Sequence, residues 1–255
     1  MVEVLVIALG LVVGSFLNVC IARIPHGESV VMPASHCPTC ETPINWYDNI
    51  PVLSYAILRG RCRSCGEHIS ARYPLIEILT AVLAVMLFHA GFPPQELALY
   101  AALVAALVVM TFIDIDYRII PDVITLPSIL IAPAAAFIVG QITVAESIFG
   151  ILAGGGVLWG IAALYQFVRK QEGMGLGDVK MLAMVGGFMG WEASLFTLVV
   201  GSLFGTIIGV GMMIFRRGRL DMEIPFGPFL AVGTLLYLFG GPELIGWYLE
   251  LPRLL

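Results

Sequence analysis

"MVEVLVIALGLVVGSFLNVCIARI" occupies residues 1–24 and carries a single charged side chain, Glu3, before Arg23. An apolar run of about twenty residues reaches across the hydrocarbon core of a bilayer. It lacks the positively charged start of a cleavable signal peptide, so a retained first membrane helix is expected. Segments of the same character follow near residues 74–92, 95–113, 123–140, 145–168, 179–190, 193–215 and 226–249, making eight candidates. The fourth is interrupted by Pro127 and Pro133. The sixth is short: Leu176 to Met189 reaches about 21 Å at about 1.5 Å per residue, against a bilayer core of about 30 Å. It is expected either to span partially or to begin below the surface, sheltered by protein.

Composition points the same way. With 59% hydrophobic and 12% charged residues and a mean hydropathy of +0.96, the chain cannot solubilise its own surface as a water-soluble domain. The expected fold class is an all-α polytopic membrane protein with about eight transmembrane helices. The net charge of −5 is spread thinly, and the 13 Lys and Arg residues form no basic amphipathic face, so nucleic acid is not an expected partner.

Basic residues collect in cytoplasmic loops of membrane proteins. Here Arg23, Arg59, Arg61, Arg63 and Arg72 fall in the first connection, Arg118 in the third, Arg169, Lys170 and Lys180 in the fifth, and Arg216, Arg217 and Arg219 in the seventh. Only Arg253 remains, near the C-terminus. This alternation predicts that both termini lie outside the cytoplasm. Small residues recur at helix-packing spacing in Gly10 with Gly14, Gly156 with Gly160, and Gly201, Gly205 and Gly209, where backbones can approach closely.

Residues 24–73 are the one stretch polar enough for a soluble subdomain, which divides the chain into 1–23, 24–73 and 74–255. "CPTC" (Cys37, Cys40) and "CRSC" (Cys62, Cys65) are separated by 21 residues. Two such knuckles match a tetrathiolate zinc site, each pair occupying two corners of a tetrahedron. The alternative, disulfide bonding, fits poorly with a loop in the reducing cytoplasm that is too small to fold without a metal as its core. Cys20, inside the first helix, reads as an apolar filler, and His36 and His68 flank the knuckles without being needed as ligands.

Carboxylates in or beside spanning segments are expensive and mark function. Asp114 closes the third segment in "TFIDIDYRIIPD" (111–122), and Asp178 opens the sixth in "GMGLGDVK" (173–180). The charge rule puts both at one membrane face. Two carboxylates in one site do not ionise together easily, and a half-protonated pair can activate water and protonate a leaving amine. Gly175 and Gly177 would leave room for an extended substrate backbone beside Asp178, with Lys180 in the supporting turn. The alternative is that Asp178 is an N-cap and the glycines a turn. Asp116 lies two residues from Asp114, on another helix face, and Asp122 follows Pro121 as a turn or cap residue. The four histidines lie beside no plausible nucleophile. A small transporter would spread its carboxylates across the bilayer, and a non-catalytic assembly factor would need neither the second aspartate nor the glycines.

These features together resemble the type IV prepilin peptidase family. The matching stretches are "GSFLNVCIARIP" (14–25), the paired knuckles, "NIPVLSYAILRGRCRSC" (49–65), "SARYPLIE" (70–77), "DIDYRIIPDVITLP" (114–127), "GLGDVK" (175–180) and "IPFGPFL" (224–230). The resemblance implies a GxGD-type aspartic endopeptidase of the bacterial inner membrane. Such an enzyme cleaves the leader of prepilins and pseudopilins at the cytoplasmic face, with Asp114 and Asp178 as its aspartates. It implies a second activity, N-methylation of the new N-terminal residue with S-adenosylmethionine, and a zinc loop on Cys37, Cys40, Cys62 and Cys65. Gly14, Asn18, Arg72 and Glu77 are cofactor-site candidates on the resemblance alone, and Glu77 would equally suit Arg72 as a buried partner. A peptidase-only member with a structural zinc loop is the alternative.

Overall fold

The computed structural model describes residues 1–170, 175–215 and 224–250. Of the sequence features above, Gly173, Arg216, Arg217, Arg219 and Arg253 lie outside the described residues. The chain divides into two compact units, Met1–Val109 and Met110–Leu255. Among the described residues there are helices, short 3₁₀ turns and two isolated β-bridges, and no strand.

The first unit is built on α1 (Val2–Arg23), a one-turn helix α2 (Leu53–Ile57), α3 (Arg72–His89) and the first part of α4 (Pro94–Tyr117). α1 and α3 press together through the small residues legible in the sequence. A Cβ built on Gly10 would lie 2.6 Å from Ala81 Cα, and one on Gly14 would lie 2.6 Å from Glu77 Cα. In lipid, where burial of apolar surface between helices gains little, close approach is what holds such a pair. Asn18, buried in the same seam, donates from Nδ2 to the Tyr73 carbonyl at 3.1 Å and to the Gly14 carbonyl at 3.2 Å.

The second unit holds the end of α4 with α5 (Asp122–Val139), α6 (Val144–Arg169), α7 (Leu176–Phe215) and α8 (Gly227–Glu250). Pro127 and Pro133 sit inside α5 without ending it. α6 starts on a capping box, Thr143 accepting from the Glu146 N–H and Glu146 from the Thr143 N–H. Residues 181–190 of α7 are buried without a break, so the short sixth segment is enclosed by protein on all sides, as a helix apolar all round requires.

Seven helical runs are long and apolar enough to cross a membrane. The longest resolves the difference from eight. At Gly190 the backbone takes φ 86°, ψ 173°, a conformation suited to glycine. Ser194 Oγ, 12 residues beyond Leu182, donates to its carbonyl at 3.4 Å. A straight helix would hold those residues about 18 Å apart. α7 is therefore two antiparallel arms, the expected sixth and seventh segments, folded back at Gly190. Gly201 and Gly205 pack their second arm against Phe229 of α8, as their spacing anticipates. Gly156 and Gly160 do not act as expected, since among the described residues a Cβ on either would meet nothing within 4 Å. The close contact of α6 uses Gly154, where a Cβ would lie 2.5 Å from the Leu182 carbonyl oxygen.

Replacing Gly10 by Val should force α1 from α3 and lower the unfolding free energy in micelles by about 1–3 kcal/mol. The same change at Gly156 should leave it nearly unaltered. Denaturant titration of the two variants compares them directly.

Candidate active site and metal centre

Asp114 lies in the last full turn of α4, buried to 5% exposure. Its partner comes from 113 residues away: the backbone N–H of Gly227, at the start of α8, donates to Asp114 Oδ2 at 2.9 Å. The first N–H groups of a helix have no intrahelical acceptor and carry the positive end of its dipole, so a carboxylate completes them. A Cβ on Gly227 would lie 2.7 Å from that same oxygen, so the approach requires glycine. Sequence reasoning saw "IPFGPFL" only as a stretch of resemblance. Its available signal was a glycine followed by proline at a helix start, a pattern that leaves a bare, free amide.

Asp178, in the first turn of α7, is half-buried and is an electrostatic neighbour of Asp114. The two aspartates singled out from the sequence are thus brought together. The segment between α4 and α5 ties the parts. A Cβ on Gly177 would lie 2.9 Å from Ile120 Cβ, so the space beside Gly177 is filled by Ile120. Gly175 is exposed, and among the described residues a Cβ there would meet only the Gly177 nitrogen at 3.9 Å, so room for a passing backbone lies at this glycine. Ile120 Cδ1 also sits 3.3 Å from a Cβ position on Gly227. Lys180 forms an ion pair with Asp122, clamping the start of α7 to the start of α5. Asp116 is exposed, on a different face from Asp114.

In the first unit, the two knuckles are near copies. Cys37 N–H donates to the Thr42 carbonyl and Glu41 N–H returns to the Cys37 carbonyl, at 3.0 and 2.8 Å. Cys62 and Gly66 repeat the pattern, with Cys62 N–H to the Glu67 carbonyl at 2.8 Å and Gly66 N–H to the Cys62 carbonyl at 2.9 Å. Glu41 and Gly66 both take positive φ, 55° and 74°, to make the turn. His36 and His68 serve the isolated bridges that close the knuckles. The four sulfurs all lie within 4.8 Å of one another, with Cys37–Cys65 at 3.8 Å and Cys40–Cys62 at 4.0 Å. A tetrahedron with metal–sulfur bonds of about 2.3 Å has edges of about 3.8 Å, so the cluster fits such an ion. Its protons fit as well. Hydrogen bonds with Thr42 hold Cys40 down to about 6. Although the Glu67 N–H favours the Cys65 thiolate, desolvation and the sulfurs of Cys40, Cys62 and Cys37 push Cys65 up to about 12. Four thiolates this close repel one another, and a bound cation offsets that repulsion. None is disulfide-bonded, and Cys20 is buried in α1. An ion pair of Arg63 with Asp48, bidentate at 2.6 to 3.0 Å, braces the loop and holds the Asp48 carboxyl below its ordinary range.

Beneath this loop lies a cavity of about 590 Å³ whose lining includes Asn18, Tyr73 and Glu77. Glu77 is buried and accepts from the Val52 N–H at 2.7 Å and from Ser15. Gly14 belongs to the α1–α3 contact, and Arg72 is half-buried at the start of α3.

Comparison with known proteins separates the cysteines from the aspartates. The bacterial peptidase A24 N-terminal domain matches residues 8–90, spanning the cysteines, and the type IV leader peptidase family matches residues 101–210, spanning both aspartates. A prepilin leader peptidase/N-methyltransferase of Aeromonas salmonicida is 36% identical over 271 residues, covering 96% of this chain and 93% of the relative. The chain belongs to the type IV leader peptidase family. A relative of the same description from Pseudomonas aeruginosa is 36% identical over 268 residues, with 96% and 92% covered. One from Myxococcus xanthus is 40% identical over 216 residues, with 85% and 64% covered. No solved structure matches the chain. With its apolar helices, family membership makes it a multi-pass inner-membrane protein.

A Cys37→Ser/Cys62→Ser protein should lose its bound metal, read by elemental analysis of the purified protein. Full occupancy in that variant would contradict a tetrathiolate centre.

Proposed function

We propose that this protein removes the leader peptide of type IV prepilins or pseudopilins and then methylates the newly exposed N-terminal amine. Asp114 and Asp178 are the proteolytic pair, and Cys37, Cys40, Cys62 and Cys65 hold a structural zinc ion. The observation that carries the peptidase reading is the meeting of the two carboxylates at helix ends, with Asp114 oriented by the Gly227 amide. The names of the relatives support both activities.

Two adjacent carboxylates share one proton more easily than they ionise together. The unprotonated member takes a proton from water as the oxygen attacks the scissile carbonyl. The protonated member then gives its proton to the departing amine. Gly175 leaves space for the extended substrate backbone, and the Asp122–Lys180 pair fixes the turn that presents Asp178. Alternation of basic residues places this face in the cytoplasm and both termini outside it. A prepilin brings a basic leader in the cytoplasm and an apolar helix in the bilayer, so its scissile bond arrives at that interface.

For the second activity, a cavity of about 590 Å³ is in the size range of small-molecule sites. Asn18 and Glu77 line the compartment that would hold S-adenosylmethionine, with Arg72 and Gly14 supporting it from α3 and α1. When bound, that molecule supplies an electrophilic methyl group.

Asp114→Asn and Asp178→Asn should each lower leader cleavage by about 10²- to 10⁴-fold with membrane insertion unchanged. Mass spectrometry of a synthetic prepilin incubated with each purified variant gives the measurement, and wild-type rates from either would remove that aspartate from the reaction. Gly227→Ala displaces Asp114 without touching its charge and should cost about 100-fold in cleavage. The Cys37→Ser/Cys62→Ser protein should lose methylation more than cleavage in the same assay.

A further inference from the structure

The cavity beneath the cysteine loop is not closed toward α1. A second hollow of about 330 Å³ runs along that helix, lined by Val12, Phe16 and Val30 among others. Both hollows are bordered by Ser15, Val19, Arg23, Ser35 and Asn49, so they are adjoining compartments of one trough. Its outer end lies at Val12 and Phe16, which are 57% and 51% exposed on a membrane helix and so face lipid. Its inner end is the Glu77 carboxylate, 7% exposed. The trough joins the bilayer to a buried acid.

Glu77 is supplied with neutral donors at some conformational cost. Val52, whose N–H binds it at 2.7 Å, has φ 59° and ψ −46°. For a β-branched residue a positive φ is a real outlier, and such strain persists where surrounding structure imposes it, often at ligand sites. A carboxylate accepts about four hydrogen bonds. Val52 and Ser15 provide two, which leaves capacity for a cation with several N–H groups. A buried carboxylate gains most from a charged partner, because the surrounding dielectric is low.

We propose that the trough receives the N-terminus of a membrane-embedded apolar helix from the lipid side and that Glu77 binds its free α-amine. The proposal rests on the methyltransfer reading above and adds the acceptor's place to it. An apolar first residue suits walls made by Val12, Phe16, Val19 and Val30, and an α-ammonium has three donors for the carboxylate. In the reaction, the ammonium gives one proton to Glu77. The nitrogen lone pair then forms the bond to the methyl carbon as the carbon–sulfur bond of the sulfonium donor breaks. That electron pair stays on sulfur, which leaves as a neutral thioether.

The test uses the full chain in lipid nanodiscs and an apolar peptide beginning with a free N-terminal phenylalanine and carrying a photoactivatable second residue. Without methyl donor, irradiation should cross-link this peptide to α1 between Val12 and Val19 or to the Val52–Glu77 contact. Its N-acetylated form should bind at least tenfold more weakly. Glu77→Gln, which keeps an acceptor for Val52, should weaken the free-amine peptide at least tenfold more than it weakens S-adenosylhomocysteine. Equal affinity for the acetylated peptide, or cross-links confined to other helices, overturns the proposal. So does loss of S-adenosylhomocysteine binding with peptide binding intact, which would give Glu77 to the donor. If Glu77→Gln does not fold, Val12→Trp decides, since plugging the outer end should abolish cross-linking and an undiminished yield refutes lateral entry. Wild-type protein that binds the peptide but transfers no methyl group would sink the methyltransfer reading and leave the amine site standing.

Discussion

A carboxylate buried among membrane helices needs a donor, and Asp114 finds it in the bare amide of Gly227. That one hydrogen bond joins the end of α4 to the start of α8. Because a helix start has free N–H groups and no side chain intervenes at glycine, the oxygen and the backbone can meet at 2.9 Å. Ile120 packs against both Gly177 and Gly227, so the turn that carries Asp178 is set by the same small cluster. Three distant stretches, 114–122, 175–180 and 224–230, thus become one site. The ion pair of Lys180 with Asp122 supports this arrangement from its exposed side; pairs of that kind add little stability on their own, so its effect is chiefly on orientation.

The rest of the second unit keeps that cluster in place by close helix contact. α7 supplies its first arm to the centre, where residues 181–190 are wholly buried, and reverses at Gly190 so that the second arm can meet α8. Ser147 donates to the Gly187 carbonyl at 2.7 Å, and Thr197 and Thr234 meet at 3.4 Å, both buried. Polar contacts like these add modestly to packing in a bilayer.

The first unit works on another principle. Its loop has too little apolar surface to fold as an ordinary core, and its order comes from four sulfurs at tetrahedral spacing and from the bidentate Arg63–Asp48 pair. Glu77 then connects that loop to α3 through the strained amide of Val52. The cavity below the loop is bounded by both parts, with Asn18, Tyr73 and Glu77 from the helices and Cys37, Cys62 and Arg63 from the loop in its lining.

Residue types and spacing were enough for the class of fold and for picking out the cysteines that cluster and the two aspartates that meet, because each depends on local chemistry: apolar length against bilayer thickness, two thiolates per turn, and the expense of a carboxylate near lipid. The same reasoning found the Gly10–Gly14 seam but misplaced the α6 contact at Gly156 and Gly160, because a helix's periodicity says which residues share a face and not which face meets a neighbour. It left Gly177 as open space that Ile120 fills. Gly227 as the partner of Asp114 and the link from Val52 to Glu77 were decided by the tertiary structure alone, whereas the reversal between the sixth and seventh segments was expected and the structure fixes it at Gly190. Both links join groups through backbone atoms, which every residue carries, so the sequence can mark a free amide, as the glycine and proline at 227 and 228 do, but not the group that amide will meet.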